Sequence, residues 1–482
     1  MSMNLGELLA RVRSTPLSSI EVEAYEQSTE IKMVTHDSGQ VRGGALFCCV
    51  VGQVSDGHDY AAEAVAKGAT ALLCERPLGL GVPELRVESV RTAMGDIASA
   101  FHDFPSRSLQ VVGVTGTNGK TSVTWWLQTI LEAAGMPCGL IGTLGGARTT
   151  PEATELQALL AMWRDEGKKA VAMEVSSHAL ALSRVRGTSF AVAVFTNLGH
   201  DHLDFHGSEE EYFKAKAKLF DPAYTKSAVV NIDDPHGRLL FDAATVPTVG
   251  YSLRDVCELT IALTSSDGIW QGQPLHVPTG GAFNVSNALA AATAAFELGI
   301  TPEVIVEALA GAAPIPGRFQ SVGTSQGFSI IVDYAHTPDG LDQILQSVRS
   351  ATTGRILVVF GCGGDRDQTK RPLMGRVAAT RSDVVIVTSD NPRSENPDHI
   401  IEAVVEGAQF APILEIEPDR RAAISRALNL ANSGDVVVVA GKGHETTQTI
   451  GELVMPFDDV TVIKEELLQL EHDRSKANGK IE

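Results

Sequence analysis

The chain has 482 residues, 44% of them hydrophobic and 20% charged, a length that suits about three domains each burying its own core. With 39 basic against 59 acidic side chains the formal net charge is −20, spread as −6, −7 and −7 over residues 1–106, 107–317 and 318–482. No basic face is left over for a nucleic-acid backbone or an anionic membrane, so neither is an expected partner.

Glu7 and Arg11 interrupt the first apolar stretch. No run reaches the roughly 18 apolar residues of a membrane span, so neither a leader nor membrane insertion is expected, and the expected location is the cytoplasm. The six cysteines (Cys48, Cys49, Cys74, Cys138, Cys257, Cys362) show no CxxC spacing and read as buried reduced thiols. Apolar runs from Gly44 (GALFCCVVG) and Ala69 (ATALLCE) flank a helical stretch from Tyr60 (YAAEAVAKG), which predicts a small α/β unit over 1–106. From Leu109 the pattern reads as a buried strand, a glycine-rich turn and a helix ending near Gly135, a nucleotide-binding unit. Val-rich and Ala-rich runs near Ala170, Phe190 and Ser227 extend it into a parallel sheet buried on both faces, the central domain over 107–317. Two prolines and a glycine near Ala313 (APIPGR) mark a second break. Beyond it, Val/Ile strands beginning near Ser329, Arg355, Asp383 and Asp435 each run into a polar or Gly-rich loop. In a doubly wound sheet four such loops converge on one ligand, so a Rossmann-like C-terminal domain over 318–482 is expected. The polar tail after His472 is expected to fray. The fold class is α/β with three domains.

The turn GVTGTNGKT offers Gly113, Thr115, Gly116, Thr117, Asn118, Gly119, Lys120, Thr121 and Ser122 to a nucleotide. Glycines let backbone N–H groups approach phosphate, Lys120 meets its charge, and Thr121 presents a hydroxyl to Mg²⁺. The strict GxxxxGK[ST] pattern fails, because Val114 stands where its first glycine belongs.

This variant loop resembles that of the Mur ligase superfamily, the ATP-dependent amino-acid-adding enzymes of peptidoglycan synthesis, which also includes folylpolyglutamate synthetase. The resemblance extends to MEVSSHAL from Met173, TNLGHDHLDFHG from Thr196, YFKAKAKLF from Tyr212, GAFNVSNALAA from Gly281, GRF from Gly317, VDYAHTPDGL from Val332, GCGGDRDQTKRPLMG from Gly361, SDNPR from Ser389 and AGKGHE from Ala440. Within the family these motifs resemble the branch that makes the UDP-muramoyl tripeptide, over nearly the whole chain.

What the resemblance implies is a cytoplasmic, monomeric acid–amino-acid ligase of cell-wall growth, and hence of cell shape and division. It would use ATP and Mg²⁺ to join meso-diaminopimelate to UDP-MurNAc-L-Ala-D-Glu through an acyl phosphate. Thr121, Glu174 and His202 are the implied Mg²⁺ ligands, with Asn197, Asp201 and His206 in the same stretch as His202. Lys216, flanked by Lys214 and Lys218 on what otherwise reads as a solvated face, is implied to carry an N-carbamate that anchors a second Mg²⁺. Burial would keep its amine neutral for that chemistry. Asn284 and Asn287 match adenine contacts, while Arg318, Asp333 and His336 would reach ATP from the C-terminal domain. Ser38 matches a uridine contact, and Thr149, Thr150, Ser176 and Arg184 match the muramoyl-dipeptide site. Three departures stand out: Arg148 replaces an asparagine before the paired threonines, Leu182 replaces a glutamine, and Gln53-Val54 replaces a polar His-Gln pair. Asp390, Asn391, Pro392 and Arg393 form the motif of diaminopimelate-adding members, since a guanidinium can clamp the second carboxylate that lysine lacks. Arg366 would meet another carboxylate, and Gly441 and Glu445 the distal ammonium. The alternatives are a lysine-adding relative, opposed by Arg393; a folylpolyglutamate synthetase, opposed by the N-terminal unit; and a non-ligating P-loop nucleotide switch, which has no need of Arg366, Arg393 and Glu445.

Overall fold

The structure, a computed structural model, describes residues 2–13, 21–22, 27–52, 54–146, 148–199 and 201–478; the departure at Gln53 lies outside them. Three sheets organise it. The first runs Glu21–Val22, Glu84–Arg86, Ala69–Cys74, Ala45–Cys48, Met33–Thr35, parallel except for its first pair. The second is six-stranded and wholly parallel, in the order Thr248–Tyr251, Ala228–Asn231, Val192–Phe195, Gln110–Thr115, Ala170–Glu174, Cys138–Ile141. The third runs Gln320–Val322, Ser329–Asp333, Val436–Ala440, Ile356–Phe360, Val384–Val387, Leu414–Ile416, with only the first pair antiparallel.

Both large sheets are buried on both faces, which is why their strands are continuous Val, Ile and Ala runs rather than alternating ones. On one face of the central sheet the helix Lys120–Ala133 lies beside Ala282–Glu297, whose many alanines allow two helices to stack closely over the strands. The register sets the functional edge: Val114 pairs with Glu174 and Thr115 with Phe195, so three strands end side by side and deliver the phosphate turn, Glu174 and Thr196 to one place.

Two expectations change, and two elements join those expected. Cys257 is exposed whereas the other five cysteines are buried. An antiparallel three-stranded sheet (Val256–Ile261, Ser266–Trp270, Gln273–Val277) extends the central domain, and a hairpin (Thr447–Ile450, Leu453–Pro456) follows the last C-terminal strand. The tail is helical as far as Asn478. No helix among the described residues is long and apolar enough to cross a membrane.

Candidate active site

The phosphate turn is fastened from below and behind. Asn118 donates its N–H to Asn197 Oδ1 (2.9 Å), Thr117 donates its N–H to the Asn197 carbonyl (2.9 Å), and Thr196 Oγ1 donates to the Asn118 carbonyl (2.6 Å). A Cβ at Gly116 would overlap Thr196 Oγ1, so only glycine permits this approach. Gly119, at φ 89°, caps the helix that starts at Lys120 and leaves its first N–H groups facing the cleft. Two expected nucleotide contacts are placed elsewhere. Gly113 and Thr115 lie within the strand Gln110–Thr115, where a Cβ at Gly113 would press on the Phe190 ring and Thr115 is fully buried. Thr117 spends its hydroxyl on Tyr212 Oη (3.1 Å) and on the N–H of Gly199 (2.9 Å).

Two lysines share one acceptor. Lys120 Nζ donates to the carbonyls of Gly116 (2.9 Å) and Thr117 (2.8 Å), while Lys216 Nζ donates to the same Gly116 carbonyl (2.8 Å). Lys216 is 1% exposed, with its ammonium 4.4 Å from the centre of the Tyr212 ring. Burial, reinforced by Lys120 nearby, holds its amine well below the usual lysine range. Lys120 is shifted the same way by burial, opposed by Glu174 and Asp201.

Glu174, 1% exposed, accepts from Thr121 Oγ1 (3.0 Å) and from the N–H of Thr143 (2.8 Å). Arg318 Nη2, from across the domain break, reaches Thr121 Oγ1 at 3.2 Å. His202 sits at φ 55° before the short helix Leu203–His206, its ring edge-on to His178 (4.7 Å) and its Nε2 3.4 Å from Asp201 Oδ2. Burial pulls it to about 4, so it is a neutral imidazole at neutral pH. No three His, Cys, Asp or Glu among the described residues converge into a cage. A cation here would have to complete its shell with phosphate and water, which fits Mg²⁺ held by the Glu174 carboxylate and the Thr121 hydroxyl.

These groups open on a cleft of about 750 Å³ between the central and C-terminal sheets. Asn284 and Asn287 form part of its wall. The first turns its amide to the Gly280 carbonyl (2.8 Å), and the second packs on Gly119. From the opposite sheet come Arg318, stacked on Tyr334 (4.3 Å), together with Asp333, His336 and Arg366. Asp333 accepts from the N–H groups of Phe319 (2.6 Å) and Ala335 (2.7 Å), yet burial pushes its carboxyl up to about 6. His336 Nδ1 meets the Tyr334 carbonyl at 2.9 Å, and burial takes its ring down to about 4. Arg366 is exposed on the cleft.

The expected substrate residues divide into three places. Thr149 and Ser176 line the cleft, whereas Thr150 is buried, donating its hydroxyl to the Glu174 carbonyl (2.9 Å), and Arg184 pairs with Glu152 (2.9 Å). Ser38 lies on the small domain away from the cleft, its carbonyl accepting from Lys67 Nζ (3.1 Å). The loops after Ser329–Asp333 and Ile356–Phe360 line the cleft, and Asp390–Arg393 and Gly441–Glu445 form a network joined to them, with the Gly441 N–H on the Asp333 carbonyl (3.1 Å). There Asn391 Nδ2 donates to Glu445 Oε2 (2.7 Å), Lys442 Nζ lies 3.3 Å from the same oxygen, and a Cβ at Gly441 would come 2.6 Å from Asp390 Oδ2. Burial raises the Asp390 carboxyl. Pro392 leads into Arg393, held at φ 52° with its N–H on the Thr449 carbonyl (3.0 Å) and its Nη1 on the Gly364 carbonyl (2.7 Å).

Comparison with known proteins bears on the family and the fold. Three family models match consecutive stretches: "Mur ligase family, catalytic domain" over 30–102, "Mur ligase middle domain" over 114–295 and "Mur ligase, glutamate ligase domain" over 317–443. A UDP-N-acetylmuramoyl-L-alanyl-D-glutamate–2,6-diaminopimelate ligase of Syntrophomonas wolfei is 44% identical over 96% of this chain and 99% of its own. The chain belongs to the Mur ligase family. A second relative of the same name, from Geobacillus kaustophilus, is 45% identical over 90% of this Mur ligase and 94% of its own length. Among solved structures, one titled as that ligase superposes with TM-score 0.70 at 32% identity, covering 98% of this chain and 100% of the other. MurF of Thermotoga maritima, solved with ADP, shares the fold at TM-score 0.63, 21% identity and coverage of 92% and 98%.

Sequence reasoning passed over several groups of this Mur ligase. His178 and Tyr212 gather the rings of His202 and His206 into one cluster of mostly edge-on contacts, and the Lys442 side chain is fully buried beside Glu445. Only the placement of His178 in the short helix Ser177–Ala181 that follows the strand ending at Glu174 hints at the first; nothing local marks the others.

Proposed function

We propose that this chain joins meso-diaminopimelate to UDP-MurNAc-L-Ala-D-Glu with cleavage of ATP to ADP and phosphate, in peptidoglycan synthesis. The observation that carries the reading is the cleft itself. Its floor is a phosphate turn with two lysines on one carbonyl, its side is the Glu174–Thr121 pair, and its far wall carries Arg318 and Arg366 from the other domain. The near-full-length relatives that bear this name support the choice of substrates.

In this reading the N–H groups at the head of the helix Lys120–Ala133, with Lys120, hold the triphosphate. Bound Mg²⁺ would neutralise charge on the phosphates as the γ-phosphoryl passes to a dipeptide carboxylate. Lys120 must leave the Gly116 and Thr117 carbonyls to meet phosphate, and Lys216, whose amine burial makes easier to deprotonate, is positioned to react with CO₂ and become an anion. His202 would then add a neutral nitrogen beside the cations. Asn284 and Asn287 flank the adenine, and Asp333 and His336 close over the nucleotide from the C-terminal side. The incoming amine attacks the acyl phosphate and phosphate leaves. Arg366 and Arg393 take the carboxylates of diaminopimelate, and Glu445 with Gly441 its distal ammonium. Because Glu445 already faces Lys442 and Asn391, substrate binding has to rearrange that network or share it.

ADP release measured with UDP-MurNAc-L-Ala-D-Glu and each candidate amino acid tests this. Release is expected with meso-diaminopimelate and to be at least about a hundredfold weaker with L-lysine, since lysine leaves a guanidinium unpaired. Lysine-driven release without diaminopimelate-driven release would overturn the assignment.

A further inference from the structure

Three guanidinium groups converge on one carboxylate where the small N-terminal domain meets the central one. Arg91 comes from the helix Val90–Phe101, Arg148 from the loop before Ala153–Asp165, and Arg184 from the turn after Ser177–Ala181. Arg184 Nη2 lies 2.9 Å from Glu152 Oε1, Arg91 Nη1 3.6 Å from Oε2, and Arg148 Nη1 4.0 Å from Oε1 and 3.8 Å from Glu155 Oε2. Only the first is short enough for a hydrogen bond. Glu152 is 6% exposed, yet its Oε2 has no hydrogen-bond partner, and neither do Arg91 Nη1 and Arg184 Nε, both buried. Buried polar groups left unpaired are costly and rare; here a donor and an acceptor face each other across 3.6 Å without bonding, and Arg184 Nε lacks an acceptor among the described residues. Three cations against two carboxylates also leave a positive excess in a chain that is −20 overall.

The position says what the acceptor belongs to. Arg184 Nη1 reaches the Thr150 carbonyl at 3.4 Å, directly behind Thr149 and Ser176 on the cleft wall. On the other side Arg91 Nε donates to the Val51 carbonyl (3.3 Å), in the loop that bridges to Asp56 on the small domain. A nucleotide-sugar with its reacting carboxylate in the cleft and its uridine on the small domain must cross these arginines. We infer that Arg91 and Arg148 join Arg184 in a receptor for an oxyanion in the middle of that substrate, either its diphosphate or a peptide carboxylate, with Glu152 holding the guanidinium groups apart until it binds. The inference rests on the substrate reading above. It makes Arg148 a working residue of this chain.

Equilibrium binding tests it, with UDP-MurNAc-L-Ala-D-Glu, with UDP-MurNAc-L-Ala, which keeps the diphosphate but lacks the glutamate carboxylates, and with a non-hydrolysable ATP analogue. Arg91→Ala should weaken the complete substrate by about tenfold or more while leaving the ATP analogue unchanged. Arg91→Lys should recover part of that loss, because an ammonium keeps the charge but not the planar fork. Arg148→Asn, at a more exposed position, should cost only about a few-fold. Equal losses for both sugar ligands identify the anion as the diphosphate; a loss confined to the complete substrate identifies the glutamate carboxylate. Unchanged substrate affinity in Arg91→Ala overturns the inference, and so does a parallel loss for the ATP analogue, which would mark a packing role. Failure of the unaltered protein to bind the UDP-dipeptide is a separate result that removes the substrate reading itself.

Discussion

Lys214, Lys216 and Lys218 alternate along one short stretch, and only the middle one turns inward. The alternation reads as a solvated face, and for Lys214, bridged to Glu210 (2.8 Å) and Glu211 (3.0 Å), it is one. Lys216 differs because Tyr212, one helical turn earlier, faces the core and carries the lysine with it beneath the phosphate turn. A buried amine without a carboxylate partner is unstable as an ammonium, which makes it ready for CO₂. Lys216→Ala should cut ADP release by about a hundredfold or more, with formate or acetate restoring part of it. Full turnover of the variant without added carboxylate would remove the residue from the mechanism. The burial that singles out Lys216 was not legible locally, since it depends on a carbonyl 100 residues away in the chain.

At the scale of elements, the strand–turn–helix from Gln110 to Ala133 was legible because an apolar run, three glycines and a 3.6-residue period fall in order. The small antiparallel sheet over 256–277 was not. Its strands are short and carry exposed polar residues such as Glu258 and Asp267, so neither a buried run nor a clean alternation stands out. The turn's own geometry yields a sharp expectation. Gly116→Ala puts a methyl group against Thr196 Oγ1 and disturbs the carbonyl that both lysines use. Affinity for an ATP analogue should fall by at least about tenfold, with the cooperative thermal transition retained, because the strand beneath is unaffected. Normal affinity in that variant would mean that the turn does not hold phosphate in the way described.

On the scale of the whole molecule, burial holds several histidines neutral: His102, His202, His206 and His336 are each drawn down to about 4. The unfolded chain takes up protons near pH 6.5, so between about 6.5 and 4 it binds protons that the folded chain refuses, and stability falls as the medium acidifies. Asp333, raised to about 6, and Asp96 and Asp390, also raised by burial, work the other way over part of that window, while His178 and His444, lowered by burial, act with the four rings. The melting temperature should therefore drop between about pH 7.5 and pH 5, and a midpoint that holds steady or rises would contradict the burial of these rings. The same distinction separates what each level of description determined. The sequence by itself determined the strands of the two large sheets, the phosphate turn and the family resemblance, because hydrophobic period, glycine placement and motif order are local or ordered along the chain. Only the tertiary structure decided which lysine is buried, that Arg318 crosses to Thr121, that Asn391 and Lys442 meet at Glu445, and that three arginines meet at Glu152. Those facts depend on register between strands and on how one sheet faces another, and such through-space distances are not encoded in any single stretch of residues.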